Sequence, residues 1–438
     1  MSEVAEELEE TAQRGIFRNR AFLAIWSAQI LSQVAANAIT FALIVLVAEI
    51  TKSNTSSSFL ILFAIIPAVL FGIFAGVLVD RSDRKKVLVI TNALRAAAVL
   101  PLLIAGESVL TAYIVIFLVA AITTFFVPAE SAALPSIVRR RDLMVANSLF
   151  TFTFNGAFLL GFILLAPVVI RLAGYEALFL LIAAMFVAAA LLCLTLPETP
   201  RPKKKIDIEV AGAAVAETRA SMGEAFRYLR QAPIVAWCLI YVALTYTLVA
   251  VAGALAPGFV REVLGTAERN VIIIVAPAGV GVVAGIGLLN LVRKWVGYPH
   301  AIGLGLGLAA VALIGLAGAR PVANIFRRVA SSAELGEAFP FFVITVAAIA
   351  FAFGISYAFI TIPAMTVIQE QLHDEIRGRI FGVLSVLVSV FSFLPLVIVG
   401  PIADVWGVAP VFVGSAIIVA GAWFGGRKTR KTLEQAAA

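Results

Sequence analysis

Twelve apolar stretches, each about as long as a helix needs to cross a bilayer core, run through this 438-residue chain with short polar interruptions between them. They lie near 22–49, 57–79, 87–105, 109–127, 143–170, 177–196, 234–256, 271–291, 300–317, 340–360, 380–402 and 409–425. Composition agrees: 62% of residues are hydrophobic, 13% are charged, and the mean hydropathy of +1.04 exceeds what a water-soluble core requires. The expected fold class is an all-α membrane protein of twelve transmembrane helices.

Orientation follows from the basic residues, which cytoplasmic loops retain. With the N-terminus inside, inner segments carry 25 Lys and Arg and outer ones 7, and Arg95 alone lies within a span. Both termini are therefore expected on the cytoplasmic side of the plasma or inner membrane. The net charge of +7 reflects this topology and not a nucleic-acid partner, which would be met by a basic patch on a soluble domain. Met1–Gln13 is acidic and polar, unlike a cleavable signal, so the first span is read as the address. Cys193 and Cys238 fall inside apolar spans and read as small buried hydrophobes.

The longest inner loop, 197–233, divides the spans six and six, giving an N-terminal half over 1–196 and a C-terminal half over 234–438. A repeat supports the division. Phe126-Val-Pro128-Ala129, read as leaving the fourth span, is echoed by Thr361-Ile-Pro363-Ala364 leaving the tenth. The outer loop at about 318–339 reads as an insertion over its short counterpart Gly106–Val109.

Between the second and third spans stands Gly76-Val-Leu-Val-Asp80-Arg81-Ser-Asp83-Arg84-Lys85-Lys86, with six charges in its last seven residues. Asp80 closes the second span, where the negative end of its own helix opposes it by a few tenths of a kcal/mol. It needs a positive partner. Arg81, Arg84 and Lys85 supply one locally, and the N-terminus of a helix in the other half would make the turn a latch across the inner face. The plain alternative is a solvated positive-inside loop.

Gly76-x-x-x-Asp80-Arg81-x-x-Arg84-Lys85 resembles the signature between the second and third spans of major facilitator superfamily transporters. Asp83 stands where that superfamily more often has Gly, a departure also met in its macrolide-efflux and enterobactin-exporter branch. Phe17-Arg18-Asn19-Arg20-Ala-Phe22, Pro128-Ala-x-x-Ala-Ala-Leu-Pro135 with Ala146-Asn147, and Pro363, Thr366, Gln369 with Arg377-Gly378-Arg379 are similar to that branch. The resemblance implies two pseudo-symmetric six-helix halves, and a latch from Asp80 to an eleventh helix expected to begin near Gly378.

Arg95 lies about eight residues past the inner end of its span, about 12 Å deep by helical rise. A lone cation there costs several kcal/mol unless paired. Two roles are open: bonding Asp80, Asp83 or nearby carbonyls, or touching substrate. Carriers of this shape bind near the midplane between halves, and the candidate lining is Gln29, Gln33 and Asn37 on one face of the first span, Trp237, Tyr241 and Thr245 with Tyr246 on the seventh, and Tyr357 and Thr361 on the tenth. Asn155, Ser385, Ser389 and Ser392 complete the set. The same groups also suit hydrogen bonds between helices. Amides and aromatics without a central fixed charge fit a bulky amphipathic small molecule.

No Gly-x-x-x-x-Gly-Lys-Ser/Thr phosphate loop is present, so ATP does not drive the chain directly. The resemblance implies proton antiport. Yet no acid lies mid-span by the boundaries above: Glu49 and Asp404 are outer, Glu130 and Glu370 inner, and Glu49 and Glu130 are the coupling candidates. His300 and His373 have no ligand partner at i+4, so neither a metal nor a catalytic set is expected, and no cofactor. The expected function is a monomeric secondary exporter of drug-, macrolide- or siderophore-like molecules. A lipid or lysophospholipid carrier of the same fold is the alternative, and a non-transporting membrane scaffold the reading from another class.

Overall fold

The computed structural model describes residues 15–105, 108–198, 223, 227–292, 295–329, 338–372 and 374–427. Every regular element among them is helical. In chain order, α1 is Arg20–Thr51, α2 Asn54–Asp80, α3 Arg84–Val99 with the short continuation Pro101–Ala105, and α4 Val109–Ile137. The next helix, Leu143–Phe158, passes through a π-helical segment, Leu159–Leu165, into Ala166–Leu194, which breaks at Gly174 (φ 84°). That left-handed residue separates α5 from α6, the latter over 175–194. The second set is α7 Pro233–Phe259, α8 Ile272–Val292, α9 Tyr298–Val329, α10 Ala338–Gln371, α11 Asp374–Trp406 and α12 Val408–Gly425.

Ten described stretches are long and apolar enough to cross a membrane, and one of these, Arg140–Leu194, is the pair α5 and α6. The apolar part of α11, Val390–Trp406, is a shorter one, so the twelve expected spans are all present. Short polar turns start the helices. Asn19 Oδ1 accepts from the backbone of Ala21 and Phe22 at 3.1 and 3.2 Å ahead of α1, and Asp83 accepts from Lys85 N at 3.1 Å ahead of α3. These caps satisfy donors that the first helical turn leaves over.

Four boundaries differ from those the sequence predicts. The fourth and tenth spans do not end at Pro128 and Pro363: α4 runs on to Ile137 and α10 to Gln371 with these prolines inside. Each proline removes one backbone hydrogen bond without ending a helix whose neighbours and apolar surroundings favour continuation. The eleventh helix begins at Asp374 and not near Gly378. Asp374 and Glu375 supply acids suited to a helix N-terminus, and Arg377-Gly378-Arg379 fall inside the first turns. The ninth helix extends to Val329, into the expected outer loop, whose residues 330–337 lie outside the described residues. Most of the central loop, 199–222 and 224–226, also lies outside them.

The described residues pack as two compact units, Met1–Leu46 with Phe63–Ala216, and Val47–Leu62 with Glu217–Ala438. The first has a core of Ile25, Ala28, Val79, Leu88, Phe126, Ala129 and Ala189, from α1, α2, α3, α4 and α6. In the second, α8 and α10 approach through small residues. A Cβ on Gly281 would meet the Phe351 carbonyl oxygen and lie 2.9 Å from its carbon, and one on Gly285 would lie 2.9 Å from Ala358 Cβ. Gly354 of α10 meets Ala278 and Val282 in the same way. This is the glycine-spaced contact by which membrane helices gain dispersion energy where lipid offers no hydrophobic drive. Large side chains also point away from the packed interior, as at Ile104 and Leu172, 90% and 81% exposed.

Gly281→Val is expected to force α8 from α10 and destabilise the protein by about 1–3 kcal/mol, the usual cost of overpacking. Gly287→Ala on the same helix, where a Cβ meets nothing within 4 Å, is the tolerated comparison. Thermal stability of both variants in detergent checks this.

Candidate functional site

A cation is buried in the first unit. Arg95 is 1% exposed, and its Nη2 donates to Asn92 Oδ1 at 2.8 Å and to Ser32 Oγ at 3.5 Å. Ser32 Oγ donates to the same Asn92 oxygen at 2.6 Å, while Asn92 Nδ2 donates to the Leu88 carbonyl at 2.9 Å. The guanidinium also faces two rings, 4.2 Å from the centroid of Phe126 and 4.8 Å from that of Phe186. Cation–ring contacts of this kind strengthen when water is excluded.

Glu130 follows Phe126 by four residues on α4, hence on the same helix face, and is 5% exposed. Its Oε1 and the Nε of Arg95 have no hydrogen-bond partner among the described residues. The sequence reading put this acid at the inner edge because it ended the span at Pro128. The helix continues, and Glu130 is inside the unit beside the Arg95 cage. The expected bond from Arg95 to Asp83 is also replaced, because Asp83 caps the same helix twelve residues away, about 18 Å by helical rise and beyond the reach of an arginine. Ser32 and Asn92 were not singled out from the sequence. Their signal was available: Asn92 precedes Arg95 by three residues in an otherwise apolar stretch, and so shares its face.

The charged turn between α2 and α3 is anchored within its own unit. Arg84 Nη1 donates to the Ala132 carbonyl of α4 at 2.6 Å, and the Lys85 backbone is held by Asp83. Gly76 and Arg81 are half-buried, and a Cβ on Gly76 would meet nothing within 4 Å. Asp80 is the last residue of α2, but its side chain and those of Arg377 and Arg379 lie outside the described residues, as do those of Asn155, Ser385 and Ser389.

The amides of α1 turn toward α5. Gln29 is 3% exposed, and its Nε2 donates to the Phe150 carbonyl at 3.3 Å. Gln33 is 8% exposed. Half-buried Asn37 donates to the Gln33 carbonyl at 2.8 Å and lies against Gly161, in the π-helical part of α5. In the second unit the rings of Trp237 and Tyr241 meet at a tilt of 37°, 5.7 Å between centroids, and pack on Gly425 and Gly426 at the end of α12. Thr245 bonds back to the Tyr241 carbonyl at 2.7 Å. Half-buried Tyr246 and Tyr357 come together, with ring centroids 6.1 Å apart, and one turn beyond Tyr357 the Thr361 hydroxyl is buried without a partner among the described residues. Ser392 meets Thr247 at 3.1 Å, joining α11 to α7. Glu49 is half-buried in the last turn of α1. Among the described residues no group of acids, histidines and cysteines is arranged to hold a metal, and Cys193 and Cys238 are free and buried.

The sequence profile of the Major Facilitator Superfamily matches residues 25–395. An uncharacterised MFS-type transporter of Mycobacterium tuberculosis is 30% identical over 385 residues, covering 84% of this chain and 80% of that protein. Macrolide efflux protein A of Streptococcus pyogenes is 33% identical over 126 residues, 28% of this chain and 31% of its own length. Among solved structures, that of the nucleoside transporter NupG superposes with a TM-score of 0.67 at 13% identity, covering 92% of this chain and 98% of that one, and so shares the fold. A profile match over most of the chain, a relative at this identity and a twelve-helix fold agree, and the protein is a member of the major facilitator superfamily, a membrane transporter and not an enzyme.

Proposed function

We propose that this transporter is a secondary active exporter of amphipathic small molecules that works by alternating access and is coupled to protons. The observation that carries the reading is Glu130, an acid 5% exposed inside the first unit, one helical turn from the ring that holds Arg95. An ionisable residue at membrane depth is expensive and is kept for a task. As a carboxylate Glu130 answers the guanidinium beside it; once protonated it no longer does, and the Arg95 cage must then rely on Asn92, Ser32 and the two rings. A proton thus changes the packing of α3 against α4, which is the kind of two-state element that coupling requires.

Half-buried side chains suit an amphipathic guest. In the first unit Asn37 offers an amide, and in the second Tyr246 and Tyr357 offer a paired aromatic surface with hydroxyls. The efflux direction is supported by the stretch similar to macrolide efflux protein A. Asp80, ending α2, acts in this reading as the inner latch against the start of α11. The protein sits in the cytoplasmic membrane as a monomer with both termini inside.

Cells expressing the protein are expected to accumulate less labelled macrolide or lipophilic cationic dye than cells expressing Asp80→Asn, with the difference abolished by a protonophore. Equal accumulation throughout rejects these compounds as substrates and turns the search to siderophores and lysophospholipids. Glu130→Gln, folded and inserted, is expected to lose the protonophore-sensitive part of efflux; full retention of that part rejects Glu130 as the coupling group. Arg95→Ala removes one partner of a buried charge pair and is expected to cost about 3–5 kcal/mol, read as a fall in folded yield and melting temperature.

A further inference from the structure

The acid that ends α11 does at one end of the molecule what the sequence expects of Asp80 at the other. Asp404, two residues from the end of α11, takes up the free donors at the start of α2. Its Oδ1 accepts from Asn54 N at 2.6 Å, and its Oδ2 accepts from Thr55 N at 3.0 Å, Thr55 Oγ1 at 2.6 Å and Ser53 Oγ at 2.7 Å. The carboxylate is opposed by the negative end of its own helix and favoured by the positive end of α2.

Close packing accompanies the bonds. One turn before Asp404, a Cβ on Gly400 would lie 2.6 Å from Thr55 Cα and 2.9 Å from Ser58 Oγ, so the α11 backbone rests directly on the first turn of α2. Two more acids hold the same turn. Glu262, just after α7, accepts from Asn54 Nδ2 at 3.3 Å and from Val408 N at 3.4 Å, and Glu268 pairs with Lys52 at 3.0 Å. Residues 47–62, the ends of α1 and α2 expected to face outside, accordingly pack with the second unit.

The geometry points to a reciprocal pair of latches on the same two helices. Asp80 ends α2 and is expected from the sequence to answer the start of α11, while Asp404, near the end of α11, caps the start of α2. We propose that the Asp404 cap is the outer latch, which holds the outer side shut and must release each time the site opens outward. This rests on the alternating-access reading. Asp404 is exposed, so water can replace its bonds when they part, and the latch can be remade in every cycle.

The test uses the full chain with Asn37→Cys as reporter and a membrane-impermeant maleimide added to intact cells, since the native Cys193 and Cys238 are buried. Asp404→Ala is expected to raise the labelling rate by on the order of tenfold, as the loss of several competing hydrogen bonds shifts the population toward the outward-open form. Gly400→Ala, which leaves the charge intact but unseats α2, is expected to raise it as well, and Asp404→Glu to restore part of the slow rate. Joining Thr55→Cys to Asp404→Cys by oxidation is expected to block labelling altogether. Unchanged labelling in folded Asp404→Ala and Gly400→Ala overturns the latch. Labelling needs no transported substrate, so failure of the exporter reading, seen as absent efflux by the chain without the Asn37→Cys reporter while the accessibility changes persist, is distinguishable from failure of the latch.

Discussion

A guanidinium kept away from water needs partners for its charge, and the packing of α1, α3, α4 and α6 follows from how Arg95 is answered. Asn92 and Ser32 meet its edge, the faces of Phe126 and Phe186 meet its plane, and Glu130 supplies charge from the next turn of α4. Each partner comes from a different helix or turn. None of these helices can shift far without exposing a charge whose removal from solvent is tolerable only while the set is complete.

The number and order of the spans were legible because hydropathy at the scale of a bilayer is the strongest signal a sequence carries. The inner turn was legible for a related reason, since charges packed between two apolar runs have few places to go. Helix ends were harder to read. Proline punctuates helices in water, and treating Pro128 and Pro363 in that way shortened α4 and α10 and moved Glu130 to the rim. In an apolar medium the unmade backbone bonds cost more than the proline, so the helix goes on.

Side-chain direction was the other illegible quantity. Gln29, Gln33 and Asn37 do share one face of α1, as their spacing requires, but the spacing does not say what that face meets. It meets α5, and Gln29 bonds the carbonyl of Phe150. Trp237 and Tyr241 similarly settle against the end of α12. Tyr246 and Tyr357 illustrate the opposite case: residues far apart in sequence brought together by the packing of α7 and α10. Asp404 gave no local sign at all, because its partners lie some 350 positions earlier in the chain.

The contact of α8 with α10 has a mechanical meaning. Where backbone meets backbone at Gly281, Gly285 and Gly354, no flexible side chain is interposed to absorb sliding or separation. Gly305 of α9 also comes close to α10, where a Cβ would lie 2.8 Å from Ile360 Cγ1 and 3.1 Å from its backbone nitrogen. These three helices behave as one stiff plate, so a conformational cycle that displaces any of them carries the other two along, and bending is left to the helices joined by longer side chains.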